Sequence, residues 1–196
     1  MLLLQSNKIL RQLCLVATFI TSALSGAVNG DTLMVENFES NPEQRWRYVS
    51  DQVMGGVSTG QVTYEQEGEV IYAHMRGTVS TENNGGFIQL RSRIAKGSAE
   101  AAAGVMLRVR GKPQKYFVHL RTSGTVLPWQ YYQASFDIDE QWQTIRIPLS
   151  DFARSGSWLG TAIKPASIRS IGVVAFGRDH VADIQIAEVG FYREGL

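Results

Sequence analysis

Hydrophobic and polar residues alternate with a period of two along most of the chain after residue 30. Such alternation, in runs rich in Val, Ile, Thr, Tyr and Phe, is typical of β-strands with one buried and one exposed face. Ten runs are predicted as strands: Thr32–Phe38, Gln61–Glu67, Val70–Arg76, Phe87–Ile94, Gly104–Arg110, Tyr116–Arg121, Tyr131–Ile138, Trp142–Ile147, Ile168–Phe176 and Ala182–Tyr192. Only Gly97–Ala103 has a helical composition. The sequence therefore predicts an all-β fold, an antiparallel β-sandwich or jelly roll, as a single domain over residues 31–194.

The alternation also separates the two faces of each predicted strand. One face is apolar, whereas the other face of several strands between residues 87 and 138 carries arginine and aromatic side chains. If these strands are neighbours, one outer surface collects Arg91, Arg93, Arg108, Arg110, His119, Arg121, Tyr131 and Gln133. Guanidinium groups beside aromatic rings can bind an anion, a sugar or an acidic partner, with Trp129 as a platform in the adjacent loop. A solvated outer sheet face is the alternative interpretation.

The first 27 residues have the order of a secretory signal peptide. Lys8 and Arg11 precede an almost wholly apolar run from Leu13 to Ala27 that ends in small residues. This run is shorter than the roughly 20 residues that a membrane-spanning helix needs. We therefore predict cleavage and export to a periplasm, a lumen or the medium. A mitochondrial presequence or an uncleaved membrane anchor is the alternative.

Removal of this segment changes the chemistry that the remaining chain can support. The only cysteine, Cys14, is lost, which excludes a disulfide, a thiolate metal site and a cysteine nucleophile. Without Lys8 and Arg11, the 19 basic residues become 17, against 18 acidic ones. A chain so close to neutral has no overall field that would attract nucleic acid or an anionic membrane.

Residues 46–58 read WRYVSDQVMGGVS, an unusual turn after the end of a strand. The pair Gly55-Gly56 permits positive φ or a close backbone approach, and the side chains of Asp51 and Ser58 can bond nearby backbone amides. Met54 is an apolar residue inside a turn, and we expect it to pack beneath the loop.

This segment resembles the signature of the complex I intermediate-associated protein 30 family, in which a Trp is followed by Asp-x-Val-Met-Gly-Gly-x-Ser. The matching residues are Trp46, Asp51, Val53, Met54, Gly55, Gly56 and Ser58. A second block matches at Asn84, Gly85, Gly86 and Phe87. Supporting matches follow in order over residues 131–136, 142–152, 168–172 and 183–186, so that the resemblance covers residues 32–193.

The resemblance implies a galactose-binding-like jelly roll and a role in protein interaction or complex assembly, as for members that assist mitochondrial complex I. It also implies that the loop at residues 51–58, together with residues 85–87, is a rigid recognition element. The alternative is that its glycines only shape the fold. Other members are fused to dinucleotide-binding domains. Two features depart from the family: no Gly-x-Gly-x-x-Gly follows a strand, so we expect no accompanying nucleotide domain, and the export signal points away from the mitochondrial matrix.

Patterns of catalytic residues are missing from the sequence. The three histidines are scattered, and neither a Gly-x-Ser-x-Gly elbow nor a His-Glu-x-x-His pair occurs. We therefore predict a non-enzymatic domain without a cofactor or a catalytic metal. A structural calcium ion would be possible if the terminal strands pair, with Glu36 and Glu39 meeting Asp183 or Glu188. Ordinary solvated carboxylates are the alternative.

Two functional hypotheses follow. The resemblance favours an assembly factor that binds a protein partner. The export signal and the predicted face around Arg108, His119, Arg121 and Tyr131 favour an exported carbohydrate-binding module of the jelly-roll type. Neither hypothesis involves nucleic acid or a transmembrane span in the mature chain.

Overall fold

The computed structural model describes residues 32–194, which form two antiparallel sheets packed face to face. The strands are β1 (Thr32–Glu36), β2 (Trp46–Ser50), β3 (Thr59–Glu67), β4 (Val70–Val79), β5 (Phe87–Arg93), β6 (Gly104–Gly111), β7 (Gln114–Thr122), β8 (Tyr132–Ile138), β9 (Gln143–Pro148), β10 (Ala153–Arg154), β11 (Ile168–Phe176) and β12 (His180–Tyr192). Short 3-10 helices cover Pro42–Gln44, Asp51–Met54, Glu82–Asn84, Leu149–Asp151 and Pro165–Ser167.

Each sheet contains six strands. The first sheet has the order β3-β4-β12-β6-β9, and β1 pairs with the C-terminal end of β12. The second sheet has the order β10-β8-β7-β11-β5-β2. Strands that are consecutive in the chain therefore often lie in different sheets, as in a jelly roll.

The inner faces of the two sheets form one hydrophobic core. Leu107 and Val109 of β6 belong to it, as do Val118 and Leu120 of β7, and all four side chains are fully buried. Tyr116 of β7 is also buried, and burial raises its pKa to about 12. Its hydroxyl accepts a hydrogen bond of 2.8 Å from the backbone N–H of Asp183 on β12, which links the two sheets through the core.

The predicted antiparallel sandwich is confirmed, and each of the ten predicted runs contains a strand. Two strands go beyond the prediction: β2, expected only as a strand end, and the two-residue β10. The segment Gly97–Ala103, whose composition is helical, lies in consecutive turns, with Gly97 at φ +85°. Ala99 and Ala102 are buried, so the alanines fill space at the core instead of extending a helix.

The terminal strands pair, which was the condition for a calcium site, but three of the four candidate carboxylates have other partners. Glu36 is 4% exposed, and its oxygens accept hydrogen bonds from Arg45, at 2.8 Å, and from the indole of Trp46, at 2.9 Å. Asp183 lies 2.7 Å from His74, and Glu188 pairs with Arg108. Over residues 32–194, no group of three or more His, Cys, Asp or Glu side chains is placed to hold a metal ion.

The predicted signal peptide, residues 1–27, lies outside the described residues. Between residues 32 and 194, no helix has the length and apolar character needed to cross a bilayer.

We expect Glu36→Gln to lower the free energy of unfolding by about 1.5–3 kcal/mol, because hydrogen bonds to a charged acceptor are lost from a buried site. Thermal and urea unfolding would measure this loss. Glu39→Gln, at an exposed neighbouring position, is the matched control and should have no effect. If Glu36 instead held calcium, EDTA would lower the melting temperature of the wild-type protein, whereas we expect no change.

Candidate functional site

Polar and aromatic side chains form a row across the outer face of the second sheet. The strand register places Arg91 of β5 opposite Gly172 of β11, and Gly172 opposite His119 of β7. His119 in turn lies opposite Gln133 of β8. Residues paired in this way share one face of a sheet, so the row presents a guanidinium, a gap at glycine, an imidazole and an amide.

A second row lies two residues further along the same strands. Ser170 of β11 is opposite both Arg93 of β5 and Arg121 of β7. Tyr131 directly precedes β8 and stacks on His119, with ring centroids 4.0 Å apart and planes inclined by 9°. The structure thus brings together six of the eight residues that alternation placed on one surface.

The other two, Arg108 and Arg110, do not belong to this surface. They lie on β6, which pairs with β12 and β9 in the first sheet. Their side chains are therefore on the outer face of the first sheet, on the other side of the sandwich. The prediction was wrong because alternation assigns side chains to a face of one strand but does not say which sheet the strand joins.

Acids neutralise most of the arginines on the outer face of the first sheet. Its ion pairs are Arg76 with Glu65 at 3.6 Å, Arg108 with Glu188 at 3.4 Å, and Arg110 with Glu67. The Arg110 guanidinium also lies 4.6 Å from the centroid of the Trp142 ring, and Arg108 lies 5.5 Å from it. These contacts satisfy the arginines within the protein and leave little charge for a ligand.

Four rings form an aromatic group on the outer face of the second sheet. His119 and Tyr131 stack, while Phe176 meets them edge-on, at centroid distances of 5.5 and 6.3 Å. Phe117 adds a further edge contact with Phe176 at 5.8 Å. Burial lowers the pKa of His119 to about 4, against the opposing effect of its hydrogen bond to Gln133, so the imidazole is an uncharged ring at neutral pH.

A small depression of about 40 Å³ opens beside this aromatic group. Its lining residues are Gln89, Arg91, His119, Arg121, Pro128, Tyr131 and Ser170. Gly172 separates Arg91 from His119 within the sheet, and the amide oxygen of Gln89 lies 3.1 Å from the position that a Cβ would take there. The depression therefore combines ring surfaces with amide, hydroxyl and guanidinium groups, the mixture that orients small polar ligands.

The loop between β7 and β8 forms the rim of the depression and is held by several hydrogen bonds. Arg121 donates to the carbonyl oxygen of Leu127 at 2.8 Å, and the Gln130 side chain accepts from the backbone N–H of Val126. Ser155 donates to the carbonyl oxygen of Trp129 at 3.1 Å. Trp129 is 63% exposed on this fixed loop, so its ring is available to a ligand at the rim.

The loop at residues 51–58 is organised around one buried carboxylate. Asp51 is fully buried, and one oxygen accepts the backbone N–H of Ser58 at 3.0 Å. The other accepts the Ser58 hydroxyl and the backbone N–H groups of Gly86 and Phe87. A Cβ at Gly56 or Gly85 would lie within 2.5 Å of the Asp51 side chain, so both positions require glycine.

These donors also decide the charge of Asp51. Burial alone raises the pKa of a carboxyl group, but the hydrogen bonds outweigh it, with the N–H of Gly86 contributing most. The pKa of Asp51 therefore lies below its ordinary value, and the buried side chain is a carboxylate at neutral pH.

The two apolar residues of this loop lie on its surface. Val53 is 75% and Met54 60% exposed, so the expectation that Met54 packs beneath the loop is wrong. The space beneath the loop is taken by Asp51 and its donors, and the 3-10 turn points Val53 and Met54 outward. Trp46, by contrast, is buried and packs 5.7 Å from the Phe38 ring.

Several residues of the second-sheet site were missing from the sequence-based prediction. Gln89 lies on the same face as Arg91, and Ser170, Gly172 and Phe176 come from β11. Alternation within β11 could have assigned these three to one face. Their contact with β5 and β7 depends on strand order, which no local pattern contains.

The two sheets and their strand order define a jelly-roll β-sandwich of the galactose-binding-like class. Residues 36–186 match the family of complex I intermediate-associated protein 30. The match spans well over half of the chain, and the protein belongs to this family. No curated protein sequence matches the chain.

Solved structures share the fold at low sequence identity. A family 11 carbohydrate-binding module from Clostridium thermocellum, solved with a β-1,3-1,4-mixed-linked tetrasaccharide, has a TM-score of 0.68 and 14% identity, over 83% of this chain and 96% of the module. A family 30 carbohydrate-binding module has a TM-score of 0.51 and 10% identity, over 71% of this chain and 92% of the module. An exo-β-agarase has a TM-score of 0.56 and 8% identity, over 85% of this chain and 25% of the enzyme. At such identities the likeness establishes the fold alone.

We expect Asp51→Asn to lower the free energy of unfolding by about 3 kcal/mol, because an amide cannot accept from all four donors. Because the pKa of Asp51 is lower in the folded state than in the unfolded state, its charge stabilises the folded protein at pH values above the unfolded-state pKa. This stabilisation is lost as the pH falls. The difference between the variant and the wild type should therefore shrink below about pH 4. Urea unfolding from pH 7 to pH 3 would measure it, with the exposed Asp137→Asn as control. A constant difference across this range would contradict the argument.

Proposed function

We propose that this protein is a non-enzymatic carbohydrate-binding domain whose ligand lies on the outer face of the second sheet. The observation that carries the proposal is the aromatic group beside a polar depression, with Tyr131 stacked on His119 and Trp129 exposed at the rim. Apolar faces of sugar rings pack against aromatic rings, and sugar hydroxyl groups need hydrogen-bonding side chains at the edge of the same ring.

The polar residues of the depression suit this chemistry. Gln89 carries a donor and an acceptor on one planar amide, and the guanidinium of Arg121 is fixed by its bond to Leu127. Planar side chains of this kind can bond two neighbouring hydroxyl groups at once. A depression of about 40 Å³ has room for a substituent of a sugar and not for a whole ring, so we infer that the ring lies across the surface against Tyr131 or Trp129.

Two further observations support the proposal. Carbohydrate-binding modules of families 11 and 30 share the fold, which makes a jelly-roll sheet face a reasonable scaffold for a glycan. Residues 1–27 have charged residues first, then an apolar run and then small residues, which suggests export. An exported domain meets polysaccharides outside the cytoplasm.

A glycan array probed with the full chain tests this proposal. We expect binding to one class of glycan, and we expect Tyr131→Ala to reduce the affinity about tenfold or more by removing the ring. Tyr131→Phe keeps the ring and should retain most of the affinity. Trp142→Ala removes an aromatic side chain from the first sheet and serves as control. The proposal fails if no glycan binds, or if Tyr131→Ala binds as well as the wild type.

A second candidate function is docking to a protein, and the exposed tip of the 51–58 loop favours it. Val53 and Met54 project from a turn that the buried Asp51 holds in place. Two apolar side chains are therefore exposed on a backbone that is fixed by hydrogen bonds. The family takes its name from association with complex I intermediates, so a complex I subunit is the partner to test.

We expect the double substitution Val53→Ser and Met54→Ser to abolish co-purification of a complex I subunit if this candidate is correct. The measurement is quantitative mass spectrometry of a tagged, full chain recovered from its own cells. Val181→Ser, at a position 56% exposed on β12, is the matched control. Recovery of the same subunit with both variants would exclude the loop as the docking element.

A further inference from the structure

The outer face of the second sheet carries four closely placed arginines, which we call the arginine cluster: Arg47, Arg91, Arg93 and Arg121. Arg47 of β2 lies directly opposite Arg91 in the register of the sheet. Arg93 and Arg121 lie on either side of Ser170, one row away. Facing residues on neighbouring strands have Cβ atoms about 5 Å apart, so the four guanidinium groups share a small area.

No acid neutralises this cluster within residues 32–194. None of the ion pairs found there involves any of its four members. The carboxylate that lines the same groove is Glu36, and its oxygens already accept hydrogen bonds from Arg45 and Trp46. Burial lowers the pKa of Arg91, and the charges of Arg121, Arg93 and Arg47 lower it further, which is the effect of cations gathered without a counter-charge.

The first sheet shows that this arrangement is specific to one face. There, Arg76, Arg108 and Arg110 each meet a carboxylate. Arg146 has no acid partner within residues 32–194 and lies over the Tyr192 ring, 5.3 Å from its centroid. Most arginines of the first sheet are therefore neutralised within the protein, whereas the four of the arginine cluster are not, and an anion can bind where no acid does.

The cluster is continuous with the proposed sugar site. Arg91 lines the small depression beside Tyr131 and also a groove of about 410 Å³ that runs to Arg47 and Arg93. A chain of sugar residues could therefore place one ring at Tyr131 or Trp129 and the next substituents along the groove. Guanidinium groups bind carboxylate and sulfate oxygens through paired N–H donors.

We propose that the ligand is an acidic polysaccharide, one whose sugar rings carry carboxylate or sulfate groups, and that the arginine cluster binds those groups. This inference rests on the proposed carbohydrate-binding function. It adds that the anionic substituent, and not only the ring, decides which glycan is bound.

Calorimetry with the full chain and three oligosaccharides of matched length tests the inference. An alginate oligosaccharide supplies carboxylates, a carrageenan oligosaccharide supplies sulfates, and an agarose oligosaccharide is neutral. We expect binding to at least one acidic probe, at least about tenfold tighter than to the neutral one, and weaker as salt is raised. The acidic probe that binds identifies the anionic group.

Variants connect that preference to the cluster. Arg91→Gln and Arg93→Gln should each weaken binding of the acidic probe about tenfold or more. Neither should lower the melting temperature, because each removes a repelling charge and no ion pair. Arg108→Gln, which removes an arginine from the first sheet, is the matched control and should leave affinity unchanged.

The outcomes separate the two proposals. Binding of the neutral probe as tightly as the acidic ones would overturn the inference and leave carbohydrate binding standing. Absence of binding to any glycan, neutral or acidic, would overturn both. Equal binding to a single-stranded DNA of the same charge would also overturn the inference, since it would reveal attraction to any polyanion.

Discussion

The buried carboxylate of Asp51 is the interaction on which the rest of the structure depends. It joins the turn after β2, the segment before β3 and the segment before β5, through Ser58, Gly86 and Phe87. Ser58 extends this connection to the end of β4, because its hydroxyl accepts the N–H of Ser80. One side chain thus ties an edge of the first sheet to an edge of the second. A charge in this position is tolerated only because donors surround it, which explains why glycines must stand beside it.

This constraint reaches the candidate site through β5. That strand begins at Phe87, whose N–H is bound to Asp51, and it carries Gln89, Arg91 and Arg93 at alternate positions. Fixing the start of a strand fixes which of its side chains face outward, since a slip of one residue would turn all three toward the core. The motif loop therefore sets the orientation of the arginines without touching a ligand on that face.

Much of the fold could be predicted from the sequence, but less of the site. Alternation located the strands and assigned Arg91, His119 and Arg121 to an outer face, because a period of two is a local property. Alternation could not show that β6 joins the other sheet, so Arg108 was placed on the wrong surface. Whether a loop side chain is buried also depends on residues that are distant in the sequence. Met54 is exposed because a charged group with four donors occupies the space beneath it.

The motif residues and the candidate ligand-binding residues are different, so family membership implies the fold but not the ligand. Asp51, Gly56, Ser58 and Gly85 all serve the buried carboxylate, and none of them lines the depression beside Tyr131. A sequence can therefore carry the signature of the family because it needs this connection between sheets, whatever it binds. The residues that would choose a ligand lie on strands outside the motif, where the sandwich tolerates many side chains. The likeness to sugar-binding modules and the family name thus describe the same scaffold, and the unneutralised arginines on its second sheet are the feature that most narrows the choice of ligand.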